Sequence, residues 1–437
     1  MTTDLVYSID SGEEIQHAAR ELRETAHRVV ADPQQTIEIL DRWGTSLDSS
    51  QIPEVPGMPF LRLWLRRSTL ETLFTRELGE EALHSKWRQE GRSRLRPFPL
   101  GVIGHWPAGN IEIQPILSMT CSLLGGNSCL VRVPAALVGI TRIAVEKLAE
   151  ADGNQILMPR IFMASFHHSR RDIHEAMARA VDGAMIWGDA DSVSQVRALP
   201  FPHWARVLVF GPRYSVAAMD AQTWGAHEVR SLWCQRIARD VWQFDQKACS
   251  SPQVLFLERG EGELADFMKE LKQAFEAENR AHPRQQVEPA LASAICQARA
   301  SWLLSNCGNT AYFPASPDWT ILQGTGIDIP KATQGRTLTV LVVDDLFDLI
   351  AGFDGTIQTI GVAICDQRKE DALAQAAGHR GVDRIVKIGQ MHVFGSPWDG
   401  TDLVRPLVRL VRQVRSSEEN REHQNGRCAT LSRSIGS

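Results

Sequence analysis

The sequence predicts an α/β protein built on Rossmann-type parallel sheets, and three observations carry that reading. From residue 99, apolar strand-like runs alternate with helix-like ones: "PLGVIGHW", "IEIQPILSMTCSLL", "SCLVRV" and "LVGITRIAVEKLAEA". After residue 252 a second alternation begins, with "QVLFLE", "TLTVLVVDD", "QTIGVAICD" and "RIVKIGQM" as its strands. The breaks between strands and helices fall at turn-forming residues, as in "WPAGN" and "WGD". Parallel strands need crossovers that cover both sheet faces, so such strands read as continuous apolar runs.

Taken in order, residues 12–31 and 70–91 mix apolar and charged residues at helical spacing and predict a helical N-terminal region. Strands follow at "GAMIWG" (183–188) and "ARVLVFG" (205–211), with "DADSVSQVRAL" as the helix between. Together these make a nucleotide-binding unit over residues 1–224. A helix over 225–244 opens a second α/β unit, 225–397, with further helices over 261–283 and 368–377. From residue 398 the run ending "VRPLVRLVRQV" is expected to form a C-terminal helix, followed by a disordered tail, "RSSEENREHQNGRCATLSRSIGS", that is polar and poor in large apolar residues.

Composition narrows the function. The 437 residues carry 47 Lys plus Arg against 52 Asp plus Glu, with no basic cluster interleaved with aromatics, so a nucleic-acid partner is not expected. Neither an N-terminal leader pattern nor a membrane-spanning apolar run is visible, which points to a cytoplasmic protein. The eight cysteines show no CxxC pairing, and "FHHSRRDIHEAM" lacks HExxH spacing; a disulfide framework or a metal site is not expected, and the histidines read as a surface cluster. GxSxG is absent too, against a serine hydrolase.

Four short stretches can carry chemistry. In "DQKACSSPQVLFLE", Cys249 stands among small polar residues where a helix gives way to a strand. A catalytic thiol must ionise readily and stay reachable, and such a junction offers both; a buried, inert cysteine is the plainer alternative. In "GHWPAGN", Asn110 follows a strand end, where its amide can aim N–H groups at a developing oxyanion or merely cap the next helix. Gly188 lies between a strand and a helix, as a pyrophosphate-binding turn requires, although GxGxxG is missing and Asp189 and Asp191 follow. Arg132 ends the strand "SCLVR", where a guanidinium can hold a ribose or its 2′-phosphate, or stand solvated.

The ordered set "PLGVIGHWPAGN", "GGNSCLVRVP", "MIWGDADSV", "VLVFGPRYS", "QKACSSPQ" and "VDRIVKIGQMHVFGSPWDG" resembles the aldehyde dehydrogenase superfamily, and within it the acyl-CoA reductases of the LuxC type. The resemblance spans residues 95–412. It implies an aldehyde dehydrogenase-like fold and reduction of an acyl thioester through a covalent enzyme thioester on Cys249, with Asn110 and the Cys249 amide as oxyanion donors. It also implies a nicotinamide held near Arg132, Gly188 and Gly211, with NADPH expected from Arg132 and NADH possible. An acyl-CoA or acyl-carrier substrate, an acyl-activating enzyme or acyltransferase as partner, and a homo-oligomer follow from the same resemblance. Oxidative, CoA-acylating flux and a non-catalytic scaffold role stay open as alternatives.

One departure from the superfamily pattern is informative. Where hydrolytic aldehyde dehydrogenases carry a glutamate before the glycine of "FGPR", this chain has Val209, which cannot serve as a general base for water. The glutamate that many relatives place on the nicotinamide ribose has no visible counterpart, and Glu112 of "GNIEI" stands where related reductases tend to have proline.

Overall fold

The computed structural model describes residues 5–28, 31–48, 52–53, 55–306 and 308–414. The disordered-tail expectation falls on residues 415–437 and lies outside the described residues. Two sheets organise the chain.

The first sheet has six parallel strands in the spatial order Tyr7–Ser8, Ile161–Ser165, Ser128–Arg132, Val102–Trp106, Gly183–Trp187, Arg206–Phe210. Its middle strands are buried on both faces, as the apolar runs "VIGHW" and "GAMIW" require. Chain order reverses beside Val102–Trp106: the next two strands go to one side and the last two to the other. That reversal opens a crevice beyond the carboxyl ends of Val102–Trp106 and Gly183–Trp187, the place where ligands of open α/β sheets collect.

The second sheet has seven strands in the order Thr310–Tyr312, Thr320–Thr325, Thr337–Val343, Pro252–Glu258, Tyr214–Met219, Ile357–Ala363, Arg384–Lys387, parallel except for Thr310–Tyr312. The chain passes from the first sheet to the second at residues 211–213, since Arg206–Phe210 belongs to one and Tyr214–Met219 to the other. The passage therefore comes earlier than residue 224. The strand "YSVAAM" is small and Ala-rich and follows its predecessor too closely to stand out as a separate run.

The expected C-terminal helix is not formed. Residues Val408–Val414 make a strand, antiparallel to Ser93–Pro99 in a third sheet completed by Arg88–Glu90. Pro406 interrupts any helix entering this run, and Val408, Val411 and Val414 are β-branched, so an extended chain is favoured once a partner strand is present. Of the expected N-terminal helices Gly12–Arg28 forms, while the stretch 70–91 divides into the helices Arg67–Leu78 and Glu80–Leu83 and the strand Arg88–Glu90; Pro33–Ser46 is a further helix, capped by Asp32 through Gln34 and Gln35 N–H. Trp43 is fully buried and donates from Nε1 to the carbonyl of Ala144 at 2.7 Å, tying Pro33–Ser46 to the helix Val138–Ala151.

A buried carboxylate ties these helices to the far end of the chain. Glu77, on the helix Arg67–Leu78, accepts from the backbone N–H groups of Leu403 (3.0 Å), Val404 (2.6 Å) and Arg405 (2.8 Å) and from Ser396 Oγ. The loop it gathers, residues 396–405, includes Trp398 and Asp399. Removing the carboxylate strands several buried donors, each costing about 1–3 kcal/mol. Glu77→Ala is expected to lower unfolding free energy by about 3 kcal/mol or more, and Glu77→Gln by less, in urea denaturation; equal stability of Glu77→Ala and the parent contradicts this role.

Candidate active site

Between the two sheets lies a cavity of about 860 Å³. Cys249, Asn110, Arg132, Gly188 and Gly211, which lie far apart in sequence, all line it.

Cys249 reaches the cavity through an unusual backbone. The helix His227–Trp242 ends, and Phe244, Asp245 and Gln246 follow with φ of 56°, 52° and 62°. Left-handed backbone is costly for residues with a Cβ, so three in succession need anchoring. Asp245 Oδ1 accepts from Arg336 Nε at 2.7 Å and Arg284 Nε at 3.3 Å. Gln246, fully buried, donates from Nε2 to the carbonyls of Pro252 and Thr337, each at 2.8 Å, and accepts Thr337 N–H at 2.7 Å. Beyond the turn, Ser215 Oγ donates to the Cys249 carbonyl at 2.7 Å. Cys249 therefore stands at the mouth of Pro252–Glu258, half-buried as a residue, with its sulfur turned inward.

The neighbouring Ser250 is fixed as well. His392 Nε2 lies 2.7 Å from the Asp240 carbonyl, and Nδ1 lies 3.0 Å from Ser250 Oγ. A carbonyl only accepts, so Nε2 carries the proton and Ser250 donates to Nδ1. Burial holds His392 neutral, its pKa pushed down to about 4. The Asp240 carboxylate accepts Gly389 N–H at 2.5 Å, and burial pushes it up to about 7.

Around Sγ the balance of forces keeps the proton on. Gln358 Nε2 donates to Sγ at 3.2 Å. Burial pushes the Cys249 thiol up to about 12, the Asp399 carboxylate adds to the shift, and the Gln358 hydrogen bond and Arg384 oppose it. Sequence reasoning expected a thiol that ionises readily; this thiol is neutral at rest. The reason is desolvation, which a pattern of residue types does not reveal.

Asn110 does not cap a helix. The next one begins at Gln114, with Ile113 before it, and Asn110 occupies the intervening loop, where its Nδ2 donates to the Lys247 carbonyl at 3.2 Å. One N–H of the amide thus holds it against the segment two residues before Cys249, and among the described residues the second makes no hydrogen bond. Glu112 lies near Lys247, and burial raises its pKa against that cation.

On the opposite side, Arg132 ends its strand with Nε buried and without a hydrogen-bond partner among the described residues, its guanidinium 5.9 Å from the centre of the Phe166 ring. Burial lowers its pKa, as for a cation short of acceptors. Gly188 and Gly211 touch: a Cβ on Gly211, whose φ is +91°, would stand 2.6 Å from the Gly188 carbonyl oxygen. This pair needs glycine for backbone packing. The helix Ala190–Arg197 is capped by Asp189, whose Oδ1 accepts Ser192 N–H at 2.8 Å, so its first turn is already partly satisfied. His174, expected at the surface, is buried and accepts from Trp106 Nε1 at 3.0 Å; His167 and His168 are exposed.

Val209, half-buried, packs against the apolar cluster beside the first sheet, and its neighbour Phe210 lines the cavity, stacked on Trp187 with centroids 4.0 Å apart. Five residues at the site were not singled out from the sequence: Gln246, Gln358, Arg384, His392 and Asp399. Asp399 and His392 lie within the quoted run "VDRIVKIGQMHVFGSPWDG", and Gln358 is a lone amide in the apolar strand "TIQTIGVAI".

This arrangement, a parallel nucleotide-type sheet facing a second sheet that presents a cysteine, is the aldehyde dehydrogenase fold. The chain superposes on NADP-dependent glyceraldehyde-3-phosphate dehydrogenase from Bacillus halodurans C-125 with a TM-score of 0.68, 14% identity, and coverage of 93% of this chain and 92% of that one. For the aldehyde dehydrogenase from Brucella melitensis biovar abortus 2308 the values are 0.67, 15%, 92% and 89%. Within that fold, residues 34–413 match the acyl-CoA reductase (LuxC) family, and the chain belongs to it. It is similar to the long-chain acyl-protein thioester reductase of Vibrio harveyi, 26% identical over 358 residues covering 80% of this chain and 71% of that protein. The long-chain acyl-protein thioester reductase 2 of Photobacterium leiognathi is 22% identical over 355 residues, covering 80% and 70%. Among the described residues no helix is long and apolar enough to cross a membrane.

Below a thiol pKa near 12 the ionised fraction grows about tenfold for each unit that the pH rises. Alkylation of Cys249 by iodoacetamide in the ligand-free protein, followed by peptide mass spectrometry, is expected to accelerate about tenfold per unit from pH 7 to 10 without levelling. A plateau near pH 8 contradicts the neutral resting thiol.

Proposed function

We propose that this protein reduces an acyl thioester, carried on coenzyme A or on a protein, to the aldehyde, with NADPH as reductant and Cys249 as nucleophile. The observation that carries the reading is the meeting of Cys249 and Asn110 in one cavity with no carboxylate at position 209. Membership of the acyl-CoA reductase family and similarity to proteins named acyl-protein thioester reductases support it.

The Cys249 sulfur attacks the thioester carbonyl, the bond from that carbon to the carrier sulfur breaks, and the proton given up by Cys249 leaves on the carrier thiol, so that the acyl group is left on the enzyme. Asn110, through its second N–H, and the backbone N–H of Cys249 steady the oxygen as negative charge collects there; fixed donors need no reorganisation at that moment. Phe60, Leu61, Ile113, Leu117 and Phe394 give the cavity an apolar wall suited to a hydrocarbon acyl group. Val209 offers nothing to activate water, which leaves the acyl-enzyme to reduction. Hydride is the one ingredient the side chains lack, and a bound reduced nicotinamide supplies it. Cys249 sulfur then leaves the reduced carbon, releasing aldehyde.

The unpaired Arg132 Nε and the room between the glycine pair and Asn110 fit such a cofactor, and the buried guanidinium favours a 2′-phosphate. Because Asp189 already caps its helix, the cofactor's pyrophosphate gains less from that helix than an uncapped turn would give.

Cys249→Ala is expected to abolish aldehyde formation from acyl-CoA and NADPH while leaving the thermal melt in place; retained turnover overturns the assignment. Asn110→Ala is expected to cost about 10²- to 10³-fold in kcat, and a loss of only a few-fold reduces Asn110 to a loop anchor. Arg132→Ala is expected to erode the ratio of NADPH to NADH efficiency, an unchanged ratio counting against the 2′-phosphate role.

A further inference from the structure

Gln358 has no function in the scheme so far, yet its amide contacts the reacting atom. It lies on Ile357–Ala363, where pairing to Tyr214–Met219 slips between Ile357 and Thr359, so Gln358 occupies a β-bulge. A matching slip occurs across the same strand between Pro252 and Val254. Bulges re-aim a side chain out of the regular alternation, and here the bulge turns a fully buried glutamine toward Cys249 from 109 positions away in sequence.

The amide has two N–H groups, and both are used: Nε2 donates to Cys249 Sγ at 3.2 Å and to Asp399 Oδ1. Asp399 also accepts Gly211 N–H on Oδ2, at 3.2 Å. A carboxylate opposite the amide settles its orientation, because a flipped amide would set oxygen against oxygen. Resting on the reading of Cys249 as nucleophile, we propose that Gln358 is a further catalytic residue, its N–H steadying the sulfur as it becomes a thiolate on attack and again on leaving, and that Asp399 is its positioning residue.

The charged and titratable groups facing this sulfur come from several elements. Asp399 stands in the loop after His392, and Arg384 lies on Arg384–Lys387 with its guanidinium 4.3 Å from the Trp398 ring centre. Lys247 precedes the thiol on its own segment, His392 faces it through Ser250, and Arg213 stands behind Asp399. Gln358 and Asp399 therefore act in opposite senses: the donor favours thiolate, and the carboxylate opposes it.

The experiment compares Gln358→Glu, Asp399→Asn and Cys249→Ala with the parent as full chains of matched thermal melt. Two readouts are taken: kcat/KM for aldehyde from acyl-CoA plus NADPH, and the iodoacetamide rate at Cys249 at pH 8. Gln358→Glu, which keeps the shape but replaces the N–H donor to sulfur with a carboxyl that shares a proton with Asp399, is expected to lower kcat/KM about 10- to 100-fold, the scale of a hydrogen bond to a charged group, and to slow alkylation. Asp399→Asn still accepts from Gln358 and is expected to quicken alkylation several-fold. Unchanged or same-direction alkylation in the two variants, or full kcat/KM in Gln358→Glu, overturns the proposal while a dead Cys249→Ala leaves the nucleophile standing. Retained turnover in Cys249→Ala removes the nucleophile itself.

Discussion

The left-handed turn at Phe244–Gln246 is the constraint on which the site depends. Three residues with side chains sit in backbone space that glycine normally fills. The strain is held by groups from distant parts of the chain: Arg284 and Arg336 on Asp245, and the Thr337 backbone on Gln246. The return is a helix that stops, reverses and delivers Cys249 to the mouth of a strand with almost no freedom. Strain concentrated at a functional site and held by its surroundings is a common pattern.

Two further features follow from that placement. The sulfur faces a cavity whose other wall is the carboxyl end of the first sheet, so a thiol from one sheet shares that cavity with Asn110 and Arg132 from the other. Desolvation in the same setting keeps the thiol protonated. Val209 packs against the apolar cluster beside the first sheet, and Phe210 and Trp187 stack where they line the cavity.

How far the sequence could be read depends on what each element answers to. Runs such as "TLTVLVV" and "QVLFLE" were legible because a parallel strand buried on both faces must be apolar throughout. Ile161–Ser165 and Tyr214–Met219 were missed because they are short and carry small or mixed residues. The strand Val408–Val414 was misread as a helix because its pairing with Ser93–Pro99 is decided by chain more than three hundred residues away. In the site, Cys249 and Asn110 were visible as polar residues at breaks between elements. Gln358 and Asp399 were not, since the meaning of each comes from a bulge and a loop that only the folded sheet brings to the sulfur. The thiol's protonation was invisible for a similar reason, since residue type says nothing about desolvation.

The central claim, that the acyl group is carried on this one sulfur, is tested most directly by trapping. The protein is incubated with an acyl-CoA in the absence of any nicotinamide, quenched in acid, digested and analysed by mass spectrometry. The account predicts a single acyl adduct, on the peptide bearing Cys249, that disappears with release of aldehyde when NADPH is added before the quench. An adduct on another residue, or none while the protein still forms aldehyde, would contradict it.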